Sequence, residues 1–198
     1  MIYFLLFLLI PILGFSQKKL DNAYLKCQYE YIWKQDTLSG KTRDDLLILQ
    51  VGENISKCYS YYSNEVDSLM ALPNGDEIAM KMISDAMKSD DFMKGLYPHK
   101  RLKTYIYKNY PQGNITVTDG LSMQDYIYED ELNTQQWEIR DSTKTILNYS
   151  CQMAVCNFRG REWTAWFTTD IPVSDGPWKL SGLPGLIMEA YDKGNQYV

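Results

Sequence analysis

Histidine is nearly missing from this chain: His99 is the only one in 198 residues. A catalytic nucleophile needs a positioned base beside it. Cys–His or Ser–His chemistry would rest on that single ring, and nothing in the spacing ties it to a partner. No Gly-x-Ser-x-Gly elbow occurs either. Cys151 and Cys156 have four residues between them, not the two of redox and zinc motifs. Long basic runs are absent and the net charge is −5, which excludes an ordinary nucleic-acid-backbone binder. There is no internal repeat, low-complexity tract or linker. Scattered acids show no convergent carboxylate pair of the kind acid–base catalysis needs. No catalytic residue, metal site or cofactor is expected.

Long apolar runs are also scarce, with one exception at the start. Met1–Ser16 carries no charged side chain. It is shorter than the roughly 20 residues a membrane-spanning helix needs, and Pro11 interrupts it. Gly14 and Ser16 supply small residues where a signal peptidase reads, so cleavage is expected between Ser16 and Gln17. The competing reading is an uncleaved anchor. Cys27 lies too far from the cut to be acylated, so a lipid-anchored form is not expected. Residues 17–198 then form a single β-rich domain of about 180 residues, enough for a sizeable core, with no transmembrane segment. The expected location is the periplasm or cell envelope, or outside the cell. An exported chain permits disulfides. The pairing of Cys27, Cys58, Cys151 and Cys156 is open, and free buried thiols compete with it.

Tyrosine is abundant, with 16 residues, and favours strands with one wet end. Alternation and turn signals predict an antiparallel meander of Tyr24–Lys34, Asp45–Val51 and Ile55–Tyr62. In that arrangement Cys27 and Cys58 stand two strand spacings apart, too far for a bond. Asn74–Lys94 reads as the one long helix, closed by Gly95, with Ile78, Met82, Ile83 and Met87 on an apolar stripe. Strands resume at Arg101–Tyr110, Asn114–Asp119, Ser122–Glu129, Gln136–Asp141 and Lys144–Phe158, with turns at Asp119-Gly120 and Asp141-Ser142-Thr143. Met70, Met80, Met82, Met87 and Met93 invite a copper(I) reading, but core filling explains them better.

Residues 157–192 are the densest in glycine, proline and aromatics. Phe158-Arg159-Gly160-Arg161 reads as a hairpin tip with Gly160 at positive φ. In the outgoing strand Arg161, Trp163, Ala165 and Phe167 share one face. Leu183-Pro184-Gly185-Leu186 fits a type II turn with glycine at positive φ. Leu186–Tyr191 reads as a strand. Gln196-Tyr197-Val198 begins another, which suggests a chain cut short at its C-terminal end. Arg159 and Arg161 are candidates to hold an anionic ligand group, against ion pairs with Asp170, Asp175 or Glu189. Trp166 and Trp178, with Trp163, are candidates for a stacking platform, against core packing.

The elements Arg159-Gly160-Arg161, Ala165-Trp166-Phe167-Thr168, Ile171-Pro172, Gly176-Pro177-Trp178-Lys179 and Gly182-Leu183-Pro184-Gly185-Leu186-Ile187 occur here in order. In these the chain resembles the GLPGLI family of exported Bacteroidota proteins, in a motif block that covers about a sixth of its length. The resemblance implies export to the envelope, and genes that often lie beside those of outer-membrane receptors, which points to envelope transport or sensing. It implies no catalytic residue. The expected fold is α+β, mostly β: a curved antiparallel sheet, half-barrel-like, packed on one long helix. The expected function is a non-catalytic binding or carrier module for a lipid, peptide or protein ligand. The alternatives are a structural partner of an outer-membrane receptor and an envelope hydrolase using carboxylates.

Overall fold

A computed structural model describes residues 19–36, 40–121 and 124–198. The expected signal peptide, Met1–Ser16, lies outside the described residues. Two antiparallel sheets make the architecture. The first is a six-stranded meander in chain order: β1 (Ala23–Lys34), β2 (Thr42–Gly52), β3 (Ser56–Ser60), β4 (Tyr105–Lys108), β5 (Asn114–Leu121) and β6 (Gln124–Glu131). The second has four strands, β7 (Glu138–Ile146), β8 (Tyr149–Phe158), β9 (Arg161–Thr168) and β10 (Leu186–Asp192), with β10 at one edge and β7 at the other. Helices α1 (Tyr61–Met70) and α2 (Gly75–Met87) are inserted between β3 and β4.

The core follows from alternation. Leu47, Leu49 and Val51 on β2 are buried with Cys58, Ile106, Ile115 and Val117 on the next three strands. On the second sheet Ala154, Cys156, Trp163, Ala165 and Phe167 are buried with Leu180, Leu183 and Ile187. Successive side chains on a strand point to opposite faces, so residues two apart share the apolar side. Trp163, Ala165 and Phe167 are buried on one face of β9, and Trp166 and Thr168 are buried on the other, so both faces are covered. Trp178 packs against both clusters and joins them.

Several expectations are corrected. There is no single long helix: Ser60 starts α1 ten residues long, and α2 runs for 13 residues and stops well before Gly95. Neither helix fills a concave sheet. Instead α1 packs on β2 and β3. The buried residues of α2 are Gly75, Ala79 and Ala86, so the inward face carries small residues and Met82 and Met87 point outward. All five methionines read as core fillers, from Met70 to Met93, are exposed. The turn expected at 141–143 is a register irregularity inside β7, and the hairpin closes at Leu147-Asn148, both at positive φ. Asp119-Gly120 stays in the ladder opposite Tyr126 and Asp125. The described cysteines are free thiols, and Cys27 and Cys58 sit on either side of Leu49 as the meander requires. No described helix is long and apolar enough to cross a membrane.

Candidate functional site

The segment between β9 and β10 is irregular, and a buried lysine holds it. Ile106 and Lys108 lie two apart on β4, so both side chains enter the interior, at 3% and 2% exposure. The Lys108 ammonium donates to Asp175 Oδ1 at 2.5 Å, the Gly176 carbonyl at 2.7 Å and the Leu180 carbonyl at 2.9 Å. All three of its donors are used, which ties the first sheet to the loop entering β10.

Two glycines permit the path of this loop. A Cβ on Gly176 would stand 2.7 Å from Ile187 Cβ, and one on Gly185 would stand 2.0 Å from the Thr168 carbonyl oxygen. Gly185 is therefore required for close backbone approach. It has no positive φ, so the expected type II turn is not formed there; the left-handed glycine of the hexapeptide is Gly182, at φ 92°. Leu183, Leu186 and Ile187 are buried while Pro184 is exposed. Gly160 behaves as expected, at φ 74° beside Arg159 at 49°.

Trp178 is the unusual residue. Its φ is 53°, a left-handed conformation that costs a bulky side chain about 1–3 kcal/mol. Its N–H donates to Cys58 Sγ at 3.3 Å. Held this way, its ring stacks on Trp163 at 5.6 Å and meets Phe158 edge-on at 5.8 Å. Trp163 continues to Tyr197 at 6.4 Å, and Tyr197 to Tyr31 at 6.4 Å. The result is a row of rings running from the second sheet to β1.

That row lines a cleft of about 870 Å³ between the sheets. Tyr29, Tyr31 and Leu47 line it from the first sheet and Trp163, Met188 and Ala190 from the second, together with Trp178, Leu180 and Tyr197. The Tyr29 hydroxyl donates to the Ile187 carbonyl at 2.8 Å. Burial pushes the Tyr29 and Tyr31 phenols up, so both stay neutral donors. Burial also pushes the Cys58 thiol up to about 11, so it is a packing group, not a nucleophile. The buried indole N–H of Trp163 has no hydrogen-bond partner.

Three of the four ligand-contact candidates, Arg159, Arg161 and Trp178, line this cleft. Trp166 does not. It is buried on the opposite face of β9, beneath the Lys144 ammonium at 4.4 Å. Both arginines are ion-paired, with partners other than those expected. Arg159 meets Asp130 at 2.5 Å, an acid it shares with Lys179. Arg161 donates to Asp192 at 2.7 Å and Gln196 at 2.8 Å, its guanidinium over the Tyr197 ring at 4.5 Å. Sequence reasoning missed Lys108, Asp130, Asp192 and Tyr29. For Lys108 the signal was present, because strand parity puts it beside Ile106.

Residues 158–189 match the family described as "Protein of unknown function (Porph_ging)". This is a Bacteroidetes family often equated with GLPGLI, and the match is partial. It runs from the β8–β9 turn into β10, a stretch that contributes Arg159, Trp163, Trp178 and Met188 to the lining of the cleft. Curated proteins give no match. Among solved structures, the chain is similar to PNGF-II in its C2 crystal form, with TM-score 0.51, 14% identity, and 87% of this chain against 26% of that one. The P21 form gives TM-score 0.52 and 13% identity over the same shares. The chain thus spans about a quarter of the length of those structures, and the likeness is one of fold.

Proposed function

We propose that this protein is a non-catalytic binding or carrier module of the bacterial envelope, taking an apolar or peptide ligand into the cleft between its two sheets. The observation that carries this reading is the row of rings from Tyr31 through Tyr197 and Trp163 to Trp178, lining about 870 Å³ of space. Such a volume falls in the range of ordinary small-ligand pockets. The left-handed backbone at Trp178 supports it, because strain of that kind persists where the surroundings dictate it. Export is supported by the apolar Met1–Ser16 segment and by the family resemblance. A receptor in the outer membrane is a candidate partner for delivery.

Titration with an environment-sensitive apolar dye tests the reading. The dye should brighten on binding and quench tryptophan emission. Trp178→Ala should weaken it roughly tenfold through lost ring contact. No dye uptake, or equal uptake by Trp178→Ala, would contradict a ligand cleft. Fractionation of cells making the full chain tests the location, and recovery from the cytoplasm alone would contradict export.

A further inference from the structure

Exposed aliphatic side chains gather on the helical insertion between β3 and β4. Met70, Leu72, Met80, Met82, Met87 and Met93 all face solvent there. Monomeric proteins rarely concentrate apolar surface in this way unless it meets something. Methionine, unbranched and polarisable, suits adaptable binding surfaces. Core packing does not hold these side chains, since the buried residues of α2 are Gly75, Ala79 and Ala86.

On α2 the pattern is regular. Asp76, Met80, Ile83 and Met87 follow one another at steps of four, three and four residues, so they share one side of the helix. That side lies about a quarter turn from the small buried residues. Ile83 is half-buried, while Met80 is 73% exposed and Met87 62%. The stretch from Met80 to Met87 is about 10 Å long. Acids stand at both ends of it, Asp76 and Glu77 in the first turn and Asp90 and Asp91 just past the helix end. From Gly75 to Lys94 five acids stand against three lysines. Of these lysines, Lys88 is paired with Asp85 at 3.0 Å, and Lys81 lies about a third of a turn from the methionine stripe.

Charge selects the occupant. Binding to an anionic membrane surface calls for lysine and arginine beside the apolar side of a helix, and acids stand here instead. A second copy would set the same acids against each other. A basic amphipathic helix meets both features: its apolar ridge fits the methionine stripe, and its cations meet the acidic ends. We propose that the outer side of α2 is a docking surface for a basic amphipathic helix of another protein. No residue of α1 or α2 lines the cleft, so this surface is separate from the ligand site.

The probe is a leucine–lysine peptide about 18 residues long with its leucines at helical spacing. Beside it stand a scrambled twin of the same composition and a twin with glutamate for lysine. The full chain carries isotope-labelled methionine methyls. The basic peptide should turn helical on binding and shift the Met80 and Met87 methyl signals, and both twins should bind roughly tenfold more weakly. Met80→Gln with Met87→Gln keeps helix propensity and should weaken the basic peptide roughly tenfold. Asp76→Asn with Glu77→Gln should weaken it roughly threefold and flatten its salt dependence. If the latter pair unsettles the helix start, the glutamine pair and the twins decide. Equal binding of either twin, unmoved methionine methyls, or undiminished binding to the glutamine pair overturns the proposal. So do methyl shifts that grow with protein concentration alone, the mark of a second copy, and shifts produced by phosphatidylcholine vesicles but not by the peptide. Methyls already shielded from a soluble paramagnetic probe in the free full chain overturn it too, because the protein's own chain then covers the surface.

Discussion

An alanine at Gly185 would set its Cβ 2.0 Å from the Thr168 carbonyl oxygen, while an alanine at Gly160 would meet nothing within 4 Å. The two glycines serve opposite ends. Gly160 supplies a left-handed turn, and there alanine costs about 1 kcal/mol through backbone sterics. Gly185 lets two backbones touch, and neither can rotate aside, so alanine should cost about 3 kcal/mol, the upper end for overpacking. Asparagine, which tolerates left-handed geometry, should be nearly neutral at 160 and no better than alanine at 185. Urea unfolding midpoints measure this, and equal losses at both sites would contradict it. The sequence could not separate the two roles. Proline before glycine looks like a turn, whereas the contact with Thr168 joins residues distant along the chain. Strand parity, by contrast, is local. It correctly sorts Trp163 from Trp166, and the same rule places Lys108 in the interior. Its partner Asp175 comes from a loop with no periodicity, so the pair was not legible. The acids that hold Arg159 and Arg161 come from β6 and the end of β10, which no spacing rule connects to them.

Elements were more legible than their ends. The meander β1–β2–β3 follows from alternation, and the β10 boundary matches within a residue. The boundary lost is Ser60. Tyr59 through Tyr62 looks like continuing strand, because tyrosine favours strands. The chain turns helical because the Ser60 hydroxyl accepts from the Ser63 N–H at 3.1 Å and donates to Asp45 Oδ1 at 3.0 Å. Serine at a helix start satisfies one of the orphan N–H groups. That cap is fixed from outside by Asp45, a buried carboxylate that also accepts from the Leu102 N–H at 3.1 Å. Ser60→Ala should therefore cost about 2 kcal/mol, the high end for a lost cap, because it also strips a partner from Asp45. Equilibrium unfolding gives the magnitude. Amide exchange should show α1 opening first, and uniform exchange across α1 and the meander would speak against a local cap effect. The same small-residue logic explains α2. Its methionines resemble a core stripe, but Gly75, Ala79 and Ala86 face inward and let the helix sit close.

At the scale of the whole molecule, two polar clasps fasten β4 and β6 of the first sheet to the segments around the second. One is Lys108 with Asp175, sealed from water. The other is Asp130 on β6, held by Lys179 at 2.5 Å and Arg159 at 2.5 Å, and this one reaches solvent. Partial burial raises the Asp130 carboxyl, but Lys179 and then Arg159 outweigh it and hold the group below its ordinary value of 3.8. A carboxylate depressed on folding stabilises the folded state fully above its unfolded value. That contribution is lost as pH falls through the lower folded value. The clasp should thus be intact at neutral pH and release only below 3.8. Release frees the β8–β9 tip, where Arg159 lines the cleft, while the buried Lys108 clasp still holds. Melting temperatures measured from neutral pH down to about pH 3 should fall more steeply for the native protein than for Asp130→Asn, which cannot titrate there. The variant should also start lower at neutral pH, because the two cations lose their counter-charge. Parallel curves for the two proteins would mean that this carboxylate does not act as a clasp. A convergence of the curves at the acid end, with dye uptake in the cleft falling alongside, is the outcome expected of a clasp that sets the width of the opening.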